Sequence, residues 1–169
     1  MNQIAATTAF LTLVVLAGAS DLRTRRIPNA LTVTGLGNAL ALRGAIGIEP
    51  LAIGLIGALI AFVPAVLLVL LGGLGGGDAK LLAAVGAFVG PAGLPTTLFV
   101  TAVVGGAMGA VAVVRRGALG ATATRCRAIL ATPFGMSTEP LPRLGAPGAL
   151  AIPYGVAIGA GALAGWWWP

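Results

Sequence analysis

Long apolar segments alternate with short polar or glycine-rich segments along the chain. A run of about 20 apolar residues is long enough to cross the hydrocarbon core of a bilayer as a helix. By this measure the pattern predicts six membrane helices, at residues 4–20, 31–47, 51–71, 79–90, 96–114 and 149–168. The fourth helix is short for a full crossing unless residues 91–94 extend it. We therefore expect an all-α integral membrane protein, a bundle of about six transmembrane helices in one domain, residues 1–169.

The amino-acid composition is that of a membrane protein rather than a soluble one. Hydrophobic residues make up 58% of the chain and charged residues only 8%, whereas about a quarter of a soluble chain is charged. The net charge of +6 is concentrated in short loops. Basic residues in such loops contact the headgroups of the lipid bilayer, which argues against nucleic acid as a partner.

The basic residues predict the orientation of the helices. If the first loop is cytoplasmic, nine of the ten lysines and arginines lie in the cytoplasm, as the positive-inside rule requires. Only Arg43 lies at the outer end, where its side chain can snorkel to the interface. Both termini are then expected outside. The alternative is a cleaved signal peptide ending near residues 17–19, but no basic residue precedes the first apolar segment. The nine cytoplasmic residues are Arg23, Arg25, Arg26, Lys80, Arg115, Arg116, Arg125, Arg127 and Arg143.

The segment between the last two predicted helices is basic and contains several glycines and prolines. Residues 124–130 predict a short amphipathic piece on the membrane surface, and residues 166–168 predict a tryptophan anchor at the interface. The single cysteine, Cys126, and the absence of histidine exclude an internal disulfide, zinc and Ser-His or Cys-His catalysis. We expect no metal and no cofactor.

Only two aspartates occur in the chain, and both are candidate functional residues. Asp21 closes the first predicted helix and Asp78 opens the fourth, so both are expected at the cytoplasmic interface. An ionisable residue next to hydrocarbon is a functional-site hypothesis by default. Two carboxyl groups that share a proton can hydrolyse a peptide bond. The ionised group takes a proton from water, while its protonated partner polarises the carbonyl and protonates the leaving amine.

A glycine run, residues 72–77, leads into Asp78. Gly75 and Gly77 would let the backbone turn sharply and let another segment of chain approach closely. The alternatives are a flexible turn between two helices and a role for Asp78 as a helix cap.

The second predicted helix is entered through Pro28 and Asn29. Proline is tolerated at a helix start, and Asn29 is expected to cap the helix rather than to contact a substrate. Within the helix, Thr32, Thr34 and Asn38 are expected to form hydrogen bonds to neighbouring helices.

These motifs together resemble the type IV prepilin peptidases, which are membrane aspartyl proteases with a Gly-x-Gly-Asp motif. The resemblance rests on Asp21 followed by Ile-Pro-Asn at 27–29, and on Gly-Gly-Gly-Asp-Ala-Lys at 75–80. Ile-Pro-Tyr-Gly at 152–155 is similar to the Pro-Tyr or Pro-Phe element of that family. We expect the proline and tyrosine there to start and pack the last helix.

The resemblance implies that Asp21 and Asp78 are the catalytic pair and that Gly75 and Gly77 shape the second motif. Lys80 is similar to a basic residue that often follows this motif in the family. It would act either as a positive-inside anchor or as a residue that positions the aspartates.

The chain resembles the short, protease-only members associated with tight-adherence (Tad/Flp) pili, or the related archaeal enzymes. Longer members add an amino-terminal methyltransferase region with paired cysteines, which we do not expect because Asp21 follows a single helix. The implied substrate is a prepilin whose apolar helix lies in the inner (cytoplasmic) membrane. Its basic leader would be removed at the cytoplasmic face. A homo-oligomer is left open.

Two alternatives remain at this point. The chain could be a small transporter or a pilus-assembly scaffold without enzymatic activity, although coupling carboxylates in transporters tend to lie near the bilayer midplane. It could also be an intramembrane protease of the presenilin kind, which shares Gly-x-Gly-Asp but lacks the pattern from Asp21 to Asn29.

Overall fold

The computed structural model describes residues 3–71, 73–115 and 153–169, and all secondary structure in these ranges is helical. The all-α prediction is therefore confirmed for the described part of the chain. The expected surface piece at 124–130 and Cys126 lie outside it. The five helices, in chain order, are α1 (Gln3–Thr24), α2 (Asn29–Gly44), α3 (Ile48–Leu70), α4 (Gly76–Arg115) and α5 (Tyr154–Trp167).

Three of the described helices, α1, α3 and α4, are long and apolar enough to cross a membrane. Each contains a strongly apolar stretch of 18 residues with at most two charged side chains, which supports a multi-pass membrane protein. The count of six crossings and the outside location of both termini stay predictions. The last span was expected from residue 149; the described helix α5 begins at Tyr154, and residues 149–152 lie outside the described ranges.

Helix α4 consists of two helices that meet at Gly90. Gly90 has φ +71° and ψ 179°, a conformation that side-chain-bearing residues rarely adopt. Pro91 follows and has no backbone N–H to continue a helix. The break coincides with the predicted end of the fourth helix, so the sequence pattern located this boundary correctly.

The two halves of α4 run in opposite directions, as their contacts with α5 show. Near the start of α5, a Cβ added to Gly105 would touch the Tyr154 ring, and Tyr154 also interacts electrostatically with Asp78. Near the end of α5, Gly93 packs against the backbone of Gly165. The first residues of α4 and Gly105 therefore lie at the same end of the bundle.

Arg43 stabilises the break in α4; the expectation that its side chain reaches the outer interface stays a prediction. Its Nε donates to the carbonyl oxygen of Ala87 at 2.8 Å, and its Nη2 donates to that of Phe88 at 2.8 Å. Carbonyls at the end of a helix have no partner within the helix. Because α4 breaks at Gly90, the guanidinium of Arg43 supplies those partners from α2.

Small residues let the helices pack closely around an aromatic cluster. A Cβ on Gly57 of α3 would overlap the carbonyl oxygen of Gly86 in α4, so the two backbones are in direct contact. The rings of Phe10 and Trp166 stack with centroids 4.7 Å apart, and Phe88 meets Phe10 edge-on at 5.6 Å. This packing brings the end of α1 and the starts of α4 and α5 to one end of the bundle.

Candidate active site

The two aspartates lie in one cavity at that end of the bundle. Asp21 is near the carboxyl end of α1, Asp78 is in the first turn of α4, and the two carboxylates interact electrostatically. The structure thus brings together the two residues that the sequence singled out. The cavity has a volume of about 340 Å³ and is lined by Asp21, Arg25, Arg26, Ile27, Gly75, Gly76, Gly77 and Asp78.

Asp21 is held by the start of α5. Its side chain is 5% exposed, and its Oδ2 accepts a hydrogen bond of 2.6 Å from the backbone N–H of Gly155. Gly155 is the second residue of α5, where backbone N–H groups have no partner within the helix. A Cβ at Gly155 would lie 2.9 Å from the same Oδ2, so only glycine fits without a shift.

Gly155 is a site residue that sequence reasoning did not assign. The Pro-Tyr-Gly element was interpreted as a helix start, which it is, with Pro153 as the cap residue of α5. The available signal was a glycine directly after a predicted helix start, in a chain with only two aspartates. Such a glycine allows another group to approach the free N–H groups of the first turn.

Asp78 is held by the backbone that precedes it. It is half-buried and accepts a hydrogen bond from the backbone N–H of Gly75, as side chains in the first turn of a helix often do. A Cβ at Gly75 would lie 2.8 Å from Asp78 Oδ2. The helix-cap interpretation therefore describes one part of the geometry of Asp78, and the shared cavity with Asp21 describes the other.

Gly77 lets the chain after α1 pack against the start of α4. A Cβ at Gly77 would lie 3.3 Å from Ile27 Cβ and 3.4 Å from the Ile27 carbonyl oxygen. Ile27 is itself buried, and its Cδ1 lies 3.1 Å from the position that a Cβ would take at Gly155. Ile27 therefore contacts the starts of both α4 and α5, which keeps the backbone groups around the two aspartates in place.

The expected capping role of Asn29 is wrong. Pro28 is the cap residue of α2, and its carbonyl oxygen accepts from the N–H groups of Leu31 at 3.1 Å and Thr32 at 3.3 Å. Asn29 is the first residue of the helix, and its Oδ1 accepts a hydrogen bond of 2.8 Å from Lys80 Nζ. Lys80 therefore ties the start of α4 to the start of α2, two residues after Asp78.

The polar residues within α2 do not form the expected hydrogen bonds to neighbouring helices. The hydroxyl of Thr32 donates to the carbonyl oxygen of Asn29 at 3.0 Å, and that of Thr34 donates to Ala30 at 2.7 Å. Both bonds stay within α2. Asn38 forms no hydrogen bond with any residue in the described ranges.

The chemistry available at the site is that of two carboxyl groups and backbone amides. Within the described residues, no group of three or more histidines, cysteines or acidic residues could hold a metal ion. Asp21 and Asp78 each have one oxygen fixed by a glycine N–H. Two carboxyl groups that are held in place and interact electrostatically can share a single proton.

Comparison with known proteins gives one match. Residues 8–110 match the family model described as the type IV leader peptidase family, which is more than half of the chain and includes both aspartates. No curated protein and no solved structure matches the chain.

Proposed function

Because the chain belongs to the type IV leader peptidase family, we propose that it is the aspartyl endopeptidase that removes the leader from Tad/Flp-like prepilins. The observation that carries this proposal is the cavity shared by Asp21 and Asp78. They are the only aspartates in the chain. Membership of the family supports a peptidase of the membrane, and the dyad supports the aspartic type.

In the proposed reaction, water adds to the carbonyl carbon of the scissile peptide bond. One carboxylate of the pair takes a proton from that water, while the protonated carboxyl donates to the carbonyl oxygen. The tetrahedral intermediate then collapses, the C–N bond breaks, and the amine leaves with a proton from the dyad. The hydrogen bonds from Gly155 and Gly75 hold Asp21 and Asp78 in place through these proton transfers.

The proposed location of the cut follows from the position of the dyad. Asp21 lies near the end of one apolar helix and Asp78 near the start of another, so a peptide bond in the cavity lies at the membrane boundary. We place this boundary on the cytoplasmic side of the membrane because the basic residues beside it satisfy the positive-inside rule. The substrate would be a single apolar helix with its leader in the cytoplasm.

The arginines in the cavity add a constraint on the substrate. Arg25 and Arg26 line the same cavity as the two aspartates. Both side chains are exposed, so water and salt screen their repulsion of another positive charge, and we expect a weak preference for uncharged or acidic residues directly beside the cut. The basic residues of the leader would then lie farther from the dyad.

Co-expression with a candidate prepilin tests the proposal, with leader removal followed by a gel shift. Asp21→Asn and Asp78→Asn should each abolish processing while the amount of protein in the membrane stays unchanged. Glu49→Gln is the matched control because it makes the same change at an exposed carboxyl in α3. Processing that survives either aspartate change would contradict the dyad mechanism. Transport that depends on both aspartates, without cleavage, would favour a non-enzymatic function.

A further inference from the structure

A groove between α1 and α2 combines an apolar floor with polar side chains. It has a volume of about 340 Å³, and its lining includes Thr8, Thr12 and Leu16 from α1 and Leu31, Thr34 and Asn38 from α2. On the opposite side of α2, a groove of about 350 Å³ against α3 is lined almost entirely by hydrocarbon groups such as Val33 and Leu59. Lipid chains can fill the second groove, but they cannot satisfy the polar groups of the first.

Asn38 is the polar side chain of this groove that has no hydrogen-bond partner among the described residues. The threonine hydroxyls bond to carbonyl oxygens of their own helices, Thr8 to Ile4 at 2.9 Å and Thr12 to Thr8 at 2.7 Å. The carboxamide of Asn38 is exposed and makes no hydrogen bond with other described residues. It carries two N–H donors and one oxygen acceptor, and leaving them unpaired in hydrocarbon is costly.

With the membrane boundary at the two aspartates, as proposed above, Asn38 is placed near the middle of the membrane. It follows Asn29, the first residue of α2, by nine positions, or about 13 Å at 1.5 Å per residue. Thr12, across the groove, precedes Asp21 by nine positions as well. Half of a hydrocarbon core is about 15 Å. Water is scarce at that depth, so the partner of Asn38 should be a polar group on another membrane helix.

The groove and the catalytic cavity share one border. Leu16 and Leu31 line the groove at the end where α1 leads into α2. The connection between these helices, residues 25–27, lines the cavity of Asp21 and Asp78. A helix lying in the groove would therefore end beside the two aspartates.

We propose that the groove between α1 and α2 binds the membrane helix of the substrate, with Asn38 hydrogen-bonded to a polar group of that helix. This inference rests on the proposed peptidase function and adds the surface on which the substrate docks. A substrate helix can supply a hydrogen-bonding group at the depth of Asn38. It also places the peptide bond at its membrane boundary beside the two aspartates. A lipid chain supplies neither.

Kinetics in proteoliposomes test the docking site with the candidate prepilin as probe. Asn38→Leu should raise KM about 3- to 30-fold, the range for one interhelical hydrogen bond, and leave kcat unchanged. Asn38→Gln should restore much of the affinity because it keeps the carboxamide. Val33→Leu is the matched control, since it places the same side chain on α2 in the other groove. With a peptide substrate that spans the cut but lacks the apolar helix, Asn38→Leu and wild type should have the same KM and kcat.

Disulfide cross-linking tests the same contact without cleavage. Asn38→Cys would be combined with Asp78→Asn and Cys126→Ser, and tested against single cysteines placed along the prepilin helix. Cross-links are expected only from prepilin cysteines near the depth of Asn38. Among these, the reactive positions should be three or four residues apart, on one face of the prepilin helix. Cross-links without cleavage by the wild type would support the docking site and reject the peptidase function. Normal cleavage with no cross-link and an unchanged KM for Asn38→Leu would overturn the docking site. Cross-links only between two copies of the protein would also overturn it.

Discussion

The contact between Gly155 and Asp21 yields the sharpest prediction about catalysis. In Gly155→Ala, the new methyl group would lie 2.9 Å from Asp21 Oδ2, 3.1 Å from Asp21 Cβ and 3.1 Å from Ile27 Cδ1. Ordinary contacts of a Cβ begin near 3.4 Å. The carboxylate or the start of α5 must therefore move by roughly 0.5 Å, the shortfall against those contacts, and the 2.6 Å hydrogen bond must lengthen.

The expected cost is in kcat. Displacing a catalytic group by about 1 Å can lower the rate about 100-fold, and a hydrogen bond to a charged group is worth about 1.5–3 kcal/mol. We expect Gly155→Ala to lower kcat about 10- to 100-fold, with KM nearly unchanged because the substitution lies behind Asp21 rather than in the helix-binding groove.

The assay is the rate of leader removal in proteoliposomes, together with thermal unfolding of each purified variant. Gly106→Ala is the control because a Cβ at that position would meet no atom within 4 Å. It should process the prepilin at the wild-type rate. A stable Gly155→Ala variant whose kcat stays within about twofold of wild type would contradict the prediction. The hydrogen bond from Gly155 would then not position Asp21 for the reaction, and the expected loss of rate from its displacement would be wrong.

Three further predictions concern the packing at the break in α4 and the contact of Lys80 beside the site. Arg43→Leu should lower the free energy of unfolding by about 1–3 kcal/mol for each carbonyl left unpaired at the break in α4, measured by thermal unfolding in detergent; a variant as stable as wild type would contradict this role. Gly57→Ala should lower the free energy of unfolding by about 1–3 kcal/mol through overpacking against the backbone of α4. Gly37→Ala, whose Cβ would meet nothing within 4 Å, should leave that free energy unchanged. Lys80→Met removes the partner of Asn29 Oδ1, and processing should fall by less than about tenfold because the hydrogen bond is solvent-exposed; complete loss would indicate instead that Lys80 contacts the substrate.

The helical pattern could be predicted because it depends on local composition and on the solvent. Apolar runs of membrane length and breaks at glycine and proline follow from the backbone's need to satisfy its hydrogen bonds in hydrocarbon. The end of one helix at Gly90, for example, was visible from the glycine and the proline that follows it. The same reasoning predicted the wrong hydrogen-bond partners for Thr32 and Thr34, because a threonine hydroxyl can bond equally well to its own helix or to a neighbouring one.

The amino-acid pattern was enough to predict an α-helical membrane chain with two aspartates near helix ends, and the two motifs indicated the family. The packing of the helices was needed to find which backbone group holds Asp21, which carbonyls Arg43 binds, and which amide has no hydrogen-bond partner among the described residues. The hydrogen bond between Gly155 and Asp21 joins residues 134 positions apart. A pattern of apolar residues reports the environment of each helix, whereas such a contact depends on how helices from distant parts of the chain pack, and small residues make that packing possible without leaving a strong periodic signal.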